Sequence, residues 1–531
     1  MKLVFITAIA ASLAAQQLPP PPDVTPATAT LEGSVIDAQG HPLAGRVLTL
    51  DSTSGTLTAK TDAQGRYKFE GLAVGAGALG SGTAEGYMPQ RKRVLLTSGQ
   101  PVRMDIRLHK APILAGRVLD VDKNPVAGLF VRARKEGYFW GRPGTLALHG
   151  AITNALGEFR MVVPAAGAFT VDVETKQRRF QVLPKEQDPA KQQPVVMDTR
   201  TYYPGSTFAD GGSPVTLRLD EAVEGLEITM LRGRTVCVAA KVVVPANAAS
   251  NRVSLTIAEA YNDSQSWLAS GAVPAGTLVE ACGIPPGLYQ VSASTINGPR
   301  ASASEVVSVS DRFVEAPTLY PQPPIDMGGH VVFKGSDKQK ADMQWKNISI
   351  LAAPDVGLID PPLQASVEDS GVFKFAAMDS RTYWLTVRGL PPHIYVEEIT
   401  QAGRDVYFEP LFPEPGDLVL TLAGDGPTVS GSVVNGDGLP VADAIVALAA
   451  WPLPSSPAPN QFLTARAGSL GEFSLTGVAP GQYRLFAFAG VELLDVDPKF
   501  IVIHASEGED LDLTPGLESS ARPVAVESGR H

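Results

Sequence analysis

Short runs in which hydrophobic and polar residues alternate, cut by glycine, proline and aspartate, dominate this 531-residue chain. Val47, Thr49 and Asp51 fall on one side of such a run, with Leu48 and Leu50 on the other, the period-two signature of a half-buried strand. Tyr67 and Phe69, two apart, share a face and are expected to point inward. Between such runs lie phrases like Asp62 to Gly65, where the aspartate can bond the backbone two residues on and the glycine can take positive φ. Helical periodicity appears nowhere over a useful length. The pattern predicts an all-β protein of short strands and tight turns.

The pattern also repeats. Leu31-Glu-Gly33-Ser-Val35-Ile-Asp37 to Gly45, then Thr61-Asp62-Ala-Gln-Gly65-Arg-Tyr67-Lys-Phe69, returns from Gly116 to Phe159 and again from Gly431 to Phe473. A fourth copy runs from Gly329-His-Val331 to Gly371-Val-Phe373-Lys-Phe375. First-phrase glycine and turn glycine stand 32, 41, 42 and 40 residues apart in Gly33/Gly65, Gly116/Gly157, Gly329/Gly371 and Gly431/Gly471. Self-similarity at a rough period means a tandem array, and a chain this long should divide into domains of ~100–150 residues. We expect about five antiparallel β-sandwich modules: 28–110, 111–200, 232–315 (degenerate), 325–425 and 427–513. Connecting strands are expected over 201–231 and a disordered tail over 514–531.

The phrases Gly-x-Val-x-Asp…Pro-x-Ala-Gly, Asp-x-x-Gly-x-Tyr/Phe-x-Phe and Pro-Gly-x-Tyr resemble those of the carboxypeptidase regulatory-like domain. The resemblance is strong in modules one, two and five and looser in four. It is weakest in three, where Cys237-Val-Ala-Ala-Lys241 replaces Gly-x-Val but Pro286-Gly287-Leu-Tyr289 persists. It implies a transthyretin-like, Ig-like sandwich close to carbohydrate-binding folds, found in multi-module exported bacterial proteins. A zinc peptidase would add His-x-x-Glu, a distant second histidine and a catalytic glutamate. His504-Ala-Ser-Glu507 is the single match, and only His531 follows it. The resemblance therefore covers the accessory domain without the peptidase.

Composition narrows the compartment and the chemistry. Lys2, apolar Leu3 to Leu13 and Ala14-Ala15 read as a signal peptide over 1–15, followed by a Pro-rich linker over 16–27. No later stretch is apolar enough to span a membrane, so an exported protein, periplasmic or extracellular, is expected. The formal charge of −11 argues against nucleic acid as a partner. Cys237 and Cys282 are either a disulfide or two buried thiols. Two cysteines and scattered histidines make no metal site. Asp120-Val-Asp122-Lys-Asn124 opens like a calcium loop, but Pro125 breaks it and a turn explains it better. No nucleophile elbow or phosphate loop is present, and no cofactor is called for.

What remains is aromatic. Tyr138 and Trp140 in module two, Tyr261 and Trp267 in module three, and Trp451 in module five fall in the same connection after the second strand. Rings beside polar side chains suit sugar binding; equally, they cap a sandwich end or pack on the next module. Trp384, between Tyr383 and Leu385, reads as core. Two functions fit: a non-enzymatic exported binding or scaffold array with polysaccharide as its ligand, or a spacer or adhesion stalk meeting cell-surface proteins through strand edges.

Overall fold

The computed structural model describes residues 28–53, 55–82, 86–139, 142–174, 179–182, 194–208, 211–244, 251–260, 267–355, 362–454, 457 and 461–527. The expected signal peptide and Pro-rich linker lie outside these. The chain forms two compact units, Met1–His109 and Lys110–His531. The first holds one sandwich and the second holds four.

One plan recurs in all five. In sandwich one, strand Thr28–Ile36 pairs antiparallel with Arg66–Ala73 on one side and parallel with Val102–Arg103 and Ile106–Arg107 on the other. The facing sheet runs Gly55–Lys60, Val47–Ser52, Gly75–Gly80, Arg91–Leu96. Leu31, Val35, Leu48, Leu50, Phe69 and Leu79 fill the space between the two sheets. The parallel closing strand returns as Ala222–Thr229 on Ile113–Leu119, Val314–Glu315 on Arg232–Lys241, Leu418–Ala423 on Ile325–Lys334, and Glu518–Ala521 on Thr428–Ser432.

This pairing explains the first-phrase glycine. A Cβ at Gly33, Gly116 or Gly431 would collide with the carbonyl of Met104, Leu226 or Ala521 on the closing strand. The turn glycine answers a different need. Asp62 Oδ1 accepts from the amides of Gln64 and Arg66, leaving Gly65 at φ +72°. Asn154 and Gly157 repeat that geometry in sandwich two. Asp120 bonds the amides of Asp122 and Asn124 in the same way, so the calcium-like phrase is a turn.

The chain does not pass from one sandwich to the next in simple succession. Residues 201–231, read as connecting strands, pair within sandwich two: Thr201–Tyr202 and Val215–Leu217 join Gly167–Glu174, and Ala222–Thr229 closes the other sheet. Just before them, Gln181–Val182 and Val195–Asp198 pair with strands of sandwich three. The expected loose tail is corrected: Glu518–Ala521 closes sandwich five with Ala521 buried, and Val526–Glu527 pairs with Gly481–Ala489. Its polar sequence misled because a closing strand buries only alternate residues. Among the described residues, the two α-helices, Asp337–Asp342 and Pro498–Ile503, have six residues each, and no helix is long and apolar enough to cross a membrane.

Candidate functional site

Sandwich five carries an aromatic assembly on the outside of one sheet. Along Gly481–Ala489, Leu485 and Ala487 face the sandwich core, whereas Phe486 and Phe488 face outward. Ile445, Ala447 and Ala449 from the neighbouring strand lie beside them. Such a sheet must be covered, and Val496 with the helix Pro498–Ile503 covers part of it. Trp451, at the end of Ile445–Ala450, flanks Phe486 at 6.4 Å and has the Arg484 guanidinium 4.2 Å over its ring. Arg484 also holds Asp510 at 2.6 Å and the Ala505 carbonyl at 2.9 Å.

Sandwich two completes the cover. Its hairpin strand Phe130–Phe139 brings the half-buried Tyr138 ring edge-on to Phe462 at 5.5 Å, and Lys135 Nζ to Asp495 at 3.0 Å. Two of the five sequence-selected aromatics, Tyr138 and Trp451, thus meet one cluster, from different sandwiches. Trp140 and Tyr261 lie outside the described residues, as does the side chain of Trp267. Trp384 is core, its Nε1 donating to Asp355 at 2.7 Å.

A second assembly, not anticipated from the sequence, joins sandwiches two and three. Arg132 and Arg134 lie on the outer face of Phe130–Phe139, yet their side chains are 3% and 2% exposed. The Asp172 carboxylate, fully buried opposite Arg132 in register, meets Arg132 Nη2 at 2.8 Å, Arg134 Nε at 2.8 Å and Arg200 Nε at 3.2 Å. Glu174 takes Arg200 at 2.8 Å and Arg132 at 3.1 Å. Glu259, from sandwich three, pairs with Arg200 and lies 3.7 Å from Arg134. Three guanidiniums face three carboxylates in a charge-balanced interior. Burial acts to raise the Asp172 pKa, but the three cations outweigh it and hold the carboxyl well below its ordinary range. Burial and the nearby Glu259 charge push the Tyr202 hydroxyl up to about 12. The sequence signal was ambiguous, because two arginines two apart on a strand read as a solvated face.

His504 and the two cysteines have local partners. His504 Nδ1 lies 2.8 Å from Glu507, and its ring packs on Phe500 at 4.4 Å, so His-x-x-Glu is a self-contained pair at a helix end. Cys237 and Cys282 stand opposite each other on adjacent antiparallel strands and form a disulfide. With Glu280 they are the one trio among the described residues grouped closely enough to hold a metal, and the sulfur–sulfur bond occupies both cysteines. An open groove on sandwich two has its ions paired, Arg117 with Glu227 at 2.8 Å and Arg160 with Glu224 at 2.6 Å.

The sandwich with the shortest spacing between its phrases is also the one with a family match. Residues 30–109 match the carboxypeptidase regulatory-like domain. That match covers strands Thr28–Ile36 to Ile106–Arg107 but for the first two residues, and no peptidase domain accompanies it. No curated protein matches the chain. Among solved structures it is similar to the Bacillus anthracis TIE protein (11% identity, 55% of this chain and 51% of that one, TM-score 0.18). It is also similar to the major pilin subunit BcpA of Bacillus cereus (9%, 94% and 100%, 0.15). A third is the two-B-repeat segment of the Staphylococcus aureus collagen binding protein (10%, 75% and 100%, 0.14). The chain thus spans about half the length of the Bacillus anthracis structure. The regulatory-like domain is unit one; unit two repeats its plan four times.

Proposed function

We propose that this is a non-enzymatic, exported scaffold whose sandwiches present binding surfaces, with polysaccharide as the ligand class. The observation that carries the reading is how unit two uses its most reactive side chains. Its buried arginines and carboxylates, its cysteines and His504 are engaged with one another, and Tyr138 packs against Phe462. Catalysis needs a nucleophile or a proton-transfer pair held open toward a substrate. These groups instead hold strands and sandwiches together, and the leader-like start fits export.

The test is retention of the purified chain on a panel of immobilised polysaccharides, beside a Trp140→Ala, Trp451→Ala double variant. Retention lost in the variant places sugar at the ring-bearing loops. Retention kept means that those rings serve the joints and that the ligand lies elsewhere. If no polysaccharide retains the chain, the ligand class is wrong and a scaffold for proteins remains. The strand edges favour that second reading at one place: Val195 and Val196, on a short strand beside Arg232–Lys241, are 56% and 52% exposed.

A further inference from the structure

In each sandwich the sheet that faces the closing strand ends on a comparable outer strand: Gly55–Lys60, Arg142–Ile152, Trp267–Pro274, Leu363–Ser366 and Phe462–Arg466. A bare strand edge invites another chain, so proteins blunt it with proline, bulges, inward charge, shortness or a cover. Arg142–Ile152 contains Pro143 and faces a register shift at Ala133/Arg134. Trp267–Pro274 ends in proline and faces a shift at Ile257/Ala258. Leu363–Ser366 has four residues, and Phe462 packs on Tyr138 of sandwich two. Gly55–Lys60 has six residues in unbroken register with Val47–Ser52, no proline, and Thr56, Leu57 and Thr58 exposed. Leu57 and Ala59 stand opposite the core residues Leu50 and Leu48, which puts Thr56, Thr58 and the single charge, Lys60, on the outer face. The opposite edge of the same sheet is blunted, since Lys92 stands opposite the core residue Leu79 as an inward charge.

The backbone of Gly55–Lys60 is open on its free side. Thr61, the next residue, donates to the Arg46 carbonyl at 2.9 Å and accepts from the Gly45 amide at 3.0 Å, so it bonds inward. Bonding alternates along an antiparallel strand. Ala59 and Leu57 therefore also bond toward Val47–Ser52, while Thr56, Thr58 and Lys60 direct their N–H and C=O groups off the sheet. The far side of the sheet gives the same phase. Ser81 donates to Gln90 at 2.8 Å, which turns Gly80 toward Thr49 and leaves Leu48 and Leu50 to bond Ala59 and Leu57. Among the described strands none pairs with the free side. Leu57, although on the core-facing side, is 36% exposed, so the sandwich interior is open to one more strand.

We propose that a second copy of this chain adds here, its own Gly55–Lys60 running antiparallel about a two-fold axis at Thr58. In that register Thr58 faces Thr58, Thr56 faces Lys60 and Leu57 faces Ala59. The outward N–H and C=O groups of all three residues in each copy then find partners. The side chains fit themselves too. Threonines meet on the outer face as a cross-strand pair, and Leu57 with Ala59 carries the core across the joint. Lys60 is set beside Thr56, whose hydroxyl donates to Asp51 at 2.7 Å, and not beside a second Lys60. A two-fold interface needs one patch that is its own complement. That property favours a second copy over a strand of other sequence, which would use the backbone alone. Two four-stranded sheets become one continuous sheet. A single strand pair is a small interface, so the association is reversible. It doubles every binding surface of the scaffold and does not depend on which ligand those surfaces take.

Sedimentation velocity of the full chain, from low-micromolar to sub-millimolar concentration, should show a monomer passing reversibly to a dimer. Thr58→Pro deletes an N–H that the monomer leaves unpaired, so the edge tolerates it while the joint loses a bond from each copy. It should raise the dimer dissociation constant about tenfold or more. Because Thr58 meets its own copy, Thr58→Lys and Thr58→Glu should each be monomeric at concentrations where the wild type is dimeric. An equimolar mixture of the two should dimerise again, since opposite charges then face each other. Recovery in the mixture also shows that both variants fold. A wild type that stays monomeric throughout overturns the proposal and leaves the edge to a strand of another protein. A dimer unaffected by Thr58→Pro places the contact elsewhere and overturns it as well. A mixture that stays monomeric, with both variants matching the wild-type circular dichroism, does the same.

Discussion

At the scale of single residues, Asp172 is where the sequence says least and the structure most. An aspartate in a strand ordinarily faces water, but here it is enclosed by three guanidiniums that would be stranded without it. Removing one member of a buried ion pair costs about 3–5 kcal/mol, more than the pair itself contributes. Asp172→Asn should therefore lower the midpoint of urea unfolding of unit two at neutral pH. The pH dependence follows from the depressed carboxyl. A carboxylate whose folded pKa lies below its unfolded value of about 3.9 contributes stability that is fully present above that value. That contribution is lost as pH falls through the folded pKa. The gap between wild type and Asp172→Asn should accordingly be widest at neutral pH and narrow below about pH 4. A gap independent of pH would show that the Asp172 charge does not fasten the joint.

At the scale of elements, the closing strand separates what the chain states openly from what it conceals. Glycines that admit this strand are conspicuous, because Gly33, Gly116 and Gly431 recur in the same phrase. The strand itself has no such mark: Glu518-Ser-Ser-Ala521 is polar and follows Thr514-Pro515-Gly516, so it looks like the start of a tail. Ending the chain at Leu513 removes the parallel partner of Thr428–Ser432 and uncovers Val429 and Val433. Hydrogen exchange should then show alternate amides, Thr428, Ser430 and Ser432, losing protection while their neighbours stay bonded to Glu472–Leu475, with Thr28–Ile36 in unit one keeping its protection. Unchanged protection at Thr428, whose amide donates to the Leu517 carbonyl, would mean that the strand is dispensable. Alternation located the strands well where one face is wet, as at Leu48 and Leu50. It said less at Ile445–Ala450, whose unbroken apolar run marks a strand covered on both sides. Trp451 was picked out for its chemistry, but its neighbours Phe486 and Phe488 held the clearer signal, since they place apolar residues on both faces of one strand.

At the scale of the molecule, unit two returns on itself. Sandwich two meets three through Arg200 and Glu259, and three meets four through Arg300 and Asp379 at 2.5 Å. Four meets five where His393 Nε2 lies 3.8 Å from Glu518, and five meets two at Tyr138 and Phe462. A series of sandwiches touching only its sequence neighbours would lack the last contact, so that contact makes the unit a closed circuit. The joints are not all alike, with a buried ion cluster between two and three and an edge-to-face ring pair between two and five, and this makes the closing joint separable by mutation. An edge-to-face aromatic pair contributes about 0.5–1.5 kcal/mol beyond area burial. A double-mutant cycle of Tyr138→Ala and Phe462→Ala should return a coupling of that size, because residues in contact do not act additively. Tyr138→Ala should also raise hydrogen exchange along Ile445–Ala450, whose outer face it helps to cover, while leaving the Asp172 joint protected. Additive effects with unchanged exchange would reduce the circuit to an open series; coupling confined to this joint would establish that sandwiches two and five hold one another directly.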